Sequence, residues 1–99
     1  MSQSIPDIEV GPVWKDVLAE AVQLDPTFPI ERLVLCAKGT WLLVWFGDNP
    51  PSTDPSSPEN KYGEPMTIFE KLVIVNEPKI WVRTFLSNSN SRVHLAQEL

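Results

Sequence analysis

The sequence predicts an all-β fold: a small antiparallel β-sandwich or partly open barrel, with at most one short helical segment near residues 14–24. Three observations lead there. The chain has ten prolines against four glycines. Proline breaks helices and is excluded from central strands, so this composition favours short strands joined by stiff loops over a helix bundle. Beyond residue 29 the apolar residues either alternate or run in short blocks, which is the signature of strands. These blocks recur at a spacing of roughly ten residues with turn clusters between them, the pattern of a sandwich or small barrel.

Ninety-nine residues suffice for one domain. An apolar fraction of 42% and a charged fraction of 21% are ordinary for a globular protein. A chain of this size buries roughly two thirds of its unfolded surface, so self-association is a natural source of added stability.

In chain order, residues 1–10 are polar, carry Pro6 against helix, and read as an extended arm ahead of a single domain at 11–99. In "WKDVLAEAVQL" (14–24), Trp14, Val17, Leu18, Ala21 and Val22 fall at i, i+3, i+4, i+7 and i+8, a helical stripe. Pro12 suits its first turn and "DPTFP" would end it. The alternative is a short strand at 14–18 followed by a turn. "IERLVLCAKGTWLLVWFG" (30–47) gives two apolar runs, 33–37 and 41–46, joined by Lys38-Gly39-Thr40. Gly39 permits positive φ, and the pair reads as a hairpin.

Residues 48–65, "DNPPSTDPSSPENKYGEP", hold five of the ten prolines and form a long loop. Loops beyond about twelve residues are usually functional or mobile. "TIFEKLVIV" comes next as a strand with a break near Glu70-Lys71. In "KIWVRTFL", Ile80, Val82, Thr84 and Leu86 share one face and Trp81, Arg83 and Phe85 the other. "SNSNS" is a turn cluster. The closing "RVHLAQEL" puts Val93 and Leu95 inward and Arg92 and His94 outward, and is read as running to the terminus without a tail.

Two strands carry apolar residues on both faces, "TWLLVWF" and "KIWVRTF". A strand apolar on both sides is covered on both sides. The N-terminal segment, the long loop or another subunit must therefore cover the outer face, and Trp41, Trp45, Trp81 and Phe85 are the candidate interface residues.

Charge and motifs exclude most chemistry. The net charge of −5, with eight scattered basic residues, argues against a nucleic-acid partner. No apolar run approaches the eighteen or so residues that span a bilayer. The start "MSQSIPDIEV" lacks the regions of a signal peptide, so the chain is expected to be made in the cytoplasm. A lone cysteine, Cys36, forms no internal disulfide and reads as a buried, inert thiol. His94 is the single histidine and reads as a solvated side chain with no triad around it. One Cys and one His cannot make a zinc site. Asp48, Asp54, Glu59 and Glu64 lack the order of a calcium loop, and no Gly-rich phosphate loop exists. No catalytic residue, cofactor or metal is expected. Trp41, Trp45, Trp81 and Tyr62 could stack a sugar or nucleotide, although core or interface packing is the plainer reading.

The order of these features resembles a class of small β-sandwich accessory proteins of tailed-bacteriophage virions. The matching positions are Trp14 and Val17, Thr27-Phe28 before the strand that ends at Ala37, and residues 41–46 with Pro51-Ser52. They continue through Ile80-Trp81-Val82-Arg83 to Arg92-Val93-His94-Leu95 and Glu98. The chain departs from that class at Asp25-Pro26, where its members carry Gly, and in its longer loop. The resemblance implies a strand at 14–18, with a helical turn at 18–22. It also implies a non-enzymatic virion protein, above all a capsid decoration (cement) protein that stabilises the head as a homotrimer. Its partners would then be itself and the major capsid protein. Ile5, Pro6, Ile8 and Val10 would belong to a capsid-binding arm. The alternative it implies is a tail, baseplate or head-fibre module that binds a host receptor or glycan through loop 48–65, with Asp54 and Tyr62 as contacts.

Overall fold

The strand alternation is realised as two four-stranded antiparallel sheets facing each other. The computed structural model describes residues 6–28, 30–50, 64–67, 70–85 and 90–97, with only the backbone of Glu64 and Met66. Its elements are β1 (Ile8–Val10), β2 (Lys15–Asp16), α1 (Val17–Leu24), β3 (Arg32–Ala37), β4 (Leu42–Phe46), β5 (Glu64–Met66), β6 (Lys71–Val75), β7 (Ile80–Thr84) and β8 (Ser91–Gln97). The first sheet has the order β1-β8-β3-β6 and the second β2-β7-β4-β5. The fold is thus a small, mostly β, sandwich-like domain with a single short helix among the described residues.

The core arises from the period of two. Leu33, Leu35 and Ala37 of β3 and Val93 and Leu95 of β8 point from the first sheet to Leu42 and Val44 of β4 and Ile80 and Val82 of β7 in the second. All nine are essentially sealed from solvent. Burying each Val or Leu contributes on the order of 1.5–3 kcal/mol.

Residues 14–24 combine both expected conformations, at different positions. The strand is only two residues long, and α1 begins at Val17, where strand had been expected to run to 18. Asp16 makes the switch: its carboxylate accepts hydrogen bonds from the N–H groups of Leu18 (3.1 Å) and Ala19 (3.2 Å), an N-cap. Val17, Leu18 and Ala21 of the stripe enter the core, whereas Val22 is exposed. Asp25 ends the helix. Its N–H reaches Ala21 O (2.9 Å), and its carboxylate accepts from Thr27 N and Oγ1.

The hairpin at 33–46 is not formed. β3 and β4 lie in different sheets, and residues 38–41 carry the chain across the sandwich. Lys38 N still donates to Arg92 O in the first sheet (2.9 Å), while Trp41 O already accepts from Phe85 N in the second (2.9 Å). Ser91 bridges the crossing: its hydroxyl accepts from Thr40 N (3.0 Å) and donates to Thr40 O (3.3 Å). Gly39 is not needed for positive φ, which among the described glycines occurs only at Gly47. It is needed for proximity, since a Cβ there would stand 3.0 Å from Ser91 Cα and closer still to the Ser91 hydroxyl. The chain breaks again after β5, which pairs with β4, before β6 pairs with β3 in the other sheet. The expected break near Glu70 falls where the chain passes from the second sheet back to the first.

The arm is also corrected over its described part. Residues 8–10 pair with β8 as an edge strand, and Ile8 and Val10 are core side chains at 5% and 1% exposure. Alternation had been hidden by the polar neighbours Asp7 and Glu9, which face outward. Pro6 is exposed, and Ile5 lies outside the described residues.

Candidate interaction surface

The outer face of the second sheet gathers the aromatic residues. β4 and β7 pair with Leu43 opposite Arg83 and Trp45 opposite Trp81. One step beyond the strand ends, Trp41 meets Phe85 edge-on, with ring centroids 6.1 Å apart. Trp14, just ahead of β2, lies beneath Arg83, whose guanidinium carbon is 5.9 Å from the ring centroid. All four tryptophans therefore lie outside the core between the sheets. Any strand-pairing that buries Leu42, Val44, Ile80 and Val82 forces Trp45 and Trp81 onto the opposite side.

Three zones divide this face. At one end Trp45 and Trp81 are half-buried and tied down by the turn after β4. The Trp81 indole N–H donates to Gly47 O (2.9 Å), and the Trp45 indole N–H to Asn49 O (3.2 Å). Lys79 adds its ammonium over the Trp81 ring at 5.8 Å and donates to Asp48 O (3.2 Å). Gly47, at φ 142, occupies a backbone region open in practice to glycine alone. The abrupt end of the apolar run at Gly-Asp-Asn is thus the clasp on its own tryptophans.

The middle zone is a second, smaller core. Leu43, Arg83 and Trp14 are 2%, 2% and 6% exposed. Arg83 Nε donates to Thr84 O (3.0 Å), and burial pushes the guanidinium pKa below its ordinary value. Trp14 Nε1 is buried with no hydrogen-bond acceptor among the described residues. At the far end Trp41 and Phe85 remain 50% and 41% exposed. The structure therefore places the four interface candidates on one face but in two environments. Asp54 and Tyr62 lie outside the described residues.

The outer face of the first sheet carries the chain's other singular residues. His94 Nδ1 is 3.0 Å from the Asp7 carboxylate, which also meets Lys38 Nζ at 3.6 Å. His94 is thus a half-buried partner of Asp7, not a freely solvated side chain. Sequence reading missed the pair because its members stand 87 residues apart and only the β1–β8 pairing joins them. Cys36 faces His94 across the β3–β8 ladder. Its thiol is buried and contacts Ala37 O at 3.7 Å. Among the described residues no group of three or more His, Cys, Asp or Glu side chains is placed to hold a metal ion. No described helix is long and apolar enough to cross a membrane.

Compared with protein-family models the chain matches none, and searches of curated proteins and of solved structures also return no match.

Proposed function

We propose that this chain is a non-enzymatic virion protein of a tailed bacteriophage. In this reading it decorates the capsid as a homo-oligomer and acts through the outer face of its second sheet. The observation that carries the surface reading is the exposed Trp41–Phe85 pair, which continues a face whose middle, at Leu43, Arg83 and Trp14, is buried. Two large aromatics side by side on a small domain are the composition of an interface centre rather than of ordinary solvated surface. The virion assignment is supported by the sequence resemblance over Trp14 to Glu98, and the homotrimer by that resemblance together with the aromatic face.

The described part of the N-terminal segment no longer serves as the capsid anchor in this reading, because Ile8 and Val10 are committed to the core. Docking passes instead to Trp41 and Phe85. The test is Trp41→Ser/Phe85→Ser, with absolute mass read from light scattering and loading read on capsids lacking the protein. The expected result is a folded chain of lower mass that fails to load. A variant that loads normally would overturn the assignment of this face. Loss of host adsorption on replacing Asp54 and Tyr62, with particle stability unchanged, would favour the receptor-binding alternative.

A further inference from the structure

We propose that β6 is a docking edge for a second copy of this chain, which adds strand to strand across a two-fold axis and makes the first sheet continuous through two protomers. This goes beyond the aromatic-face reading and uses the other sheet.

The four sheet edges are β1, β6, β2 and β5, and three are blunted. β1 is three residues long, and Lys15 Nζ donates to its Glu9 carbonyl (2.8 Å). β2 is two residues long and passes directly into α1. β5 has Pro65 at its centre. These are the ordinary devices that keep an edge from pairing with other chains. β6 has none of them in its middle: it is five residues, Lys-Leu-Val-Ile-Val, without Pro or Gly. Val73 and Val75 are 48% and 45% exposed on it.

The hydrogen-bond phase shows what the edge offers. Asn76 N donates to Glu31 O (2.8 Å), and Ala37 N donates to Glu70 O (3.2 Å). In an antiparallel ladder, bonded pairs alternate, so Leu72 and Ile74 point their N–H and C=O groups at β3, and the Glu70 carbonyl and the Asn76 N–H continue that phase at either end. The N–H and C=O groups of Lys71, Val73 and Val75 point the other way, to the edge that no described strand covers. The same residues present the exposed side chains.

An occupant must match that phase, and the edge matches itself. An antiparallel two-fold through Ile74 sets Val73 opposite Val75 of the second copy, both on the outer face. About four main-chain hydrogen bonds then form between these two symmetric pairs. The same axis carries Lys71 past Ile74 to the end of the second copy's strand, where Glu77 follows the turn at Asn76, so opposite charges fall near each other at each end without joining the ladder. A slip of one residue would aim the bonded groups of one strand at the turned-away groups of the other. A two-fold through Val73 keeps the phase but sets Lys71 against Val75. Asn76, at φ 55, turns the chain after Val75 and keeps the paired segment short, so the association is weak and concentration-dependent.

Sedimentation equilibrium of the full chain from about 10 μM to 1 mM, the range of weak specific association, tests this. The mass is expected to rise toward twice that of the species present at the lowest concentration, and in Trp41→Ser/Phe85→Ser, which lacks the aromatic-face contact, toward twice the 11.2 kDa of the chain. Val73→Lys should remove that rise with an unchanged circular dichroism spectrum, because the side chain is exposed and its N–H does not bond β3. Lys71→Glu should weaken association about five- to tenfold, and Lys71→Glu/Glu77→Lys should restore it. The charge swap decides the matter if Val73→Lys fails to fold. Trp41→Ser should leave this step intact, which separates it from association through the aromatic face. Absence of any rise at 1 mM, a rise that Val73→Lys does not touch, or a swap that fails to restore would each overturn the proposal.

Discussion

Trp45 with Trp81 and Trp41 with Phe85 are two aromatic pairs on the same face of the same two strands, yet they live in different surroundings. The first pair is clasped by residues 47–49, with both indole N–H groups bonded to backbone carbonyls. The second makes a ring-edge contact and remains about half exposed. Residue type does not distinguish them. The difference comes from the connections at the two ends of β4: a glycine turn folds back over one end, and the crossing at 38–41 leaves the other uncovered. Aromatic residues on an outer sheet face are therefore not one class: the clasped pair is half-buried, and the pair without a clasp stays exposed.

This comparison can be broken at several points. The largest effect is expected in the middle zone that separates the two ends. Leu43→Ala should cost about 2–4 kcal/mol in urea unfolding, as for an inward leucine, because Leu43 is sealed between its neighbours. A cost below about 0.5 kcal/mol would show the zone to be ordinary surface. Next comes Gly47→Ala, expected to cost about 1–3 kcal/mol through strain at positive φ. It should also make tryptophan fluorescence more accessible to iodide, as the clasp on Trp45 and Trp81 loosens. Unchanged quenching would mean that the turn does not hold the pair. The smallest effect on stability belongs to Trp41→Ser, expected within about 0.5 kcal/mol of the parent. Its oligomer mass should nevertheless fall. A large loss of stability there would place Trp41 in the fold and not at an interface.

Much of the architecture was legible because burial imposes short periods. The alternation in 79–86 and 92–99 placed Ile80, Val82, Val93 and Leu95 inward, and each is core. The stripe in 14–24 named the three helix residues that are buried, although Val22 at its margin faces out. The hairpin was misread because a three-residue link with glycine between apolar runs fits either a turn within one sheet or a crossing between two. What separates them is the partner of each strand, β8 for one and β7 for the other, and those partners lie far downstream in the chain. The arm was misread for a related reason: three residues are too few to display alternation against noise, and β8 supplies the missing half of the pattern.

Of the surface, the sequence indicated which residues exceed the needs of one core. Two strands apolar on both sides carry more apolar surface than one core takes up, and the side-chain period alone shows it. How they are covered was decided in three dimensions. Trp14 reaches Arg83 through the β2–β7 pairing, and Gly47 reaches Trp81 across the β4–β7 pairing, 34 residues away. Asp7 likewise finds His94 only when the first strand meets the last. Local sequence determined the elements and their buried faces, because a strand or helix needs only its neighbours to set its period. Tertiary structure decided which faces stayed open, because exposure is a property of everything else that has packed there.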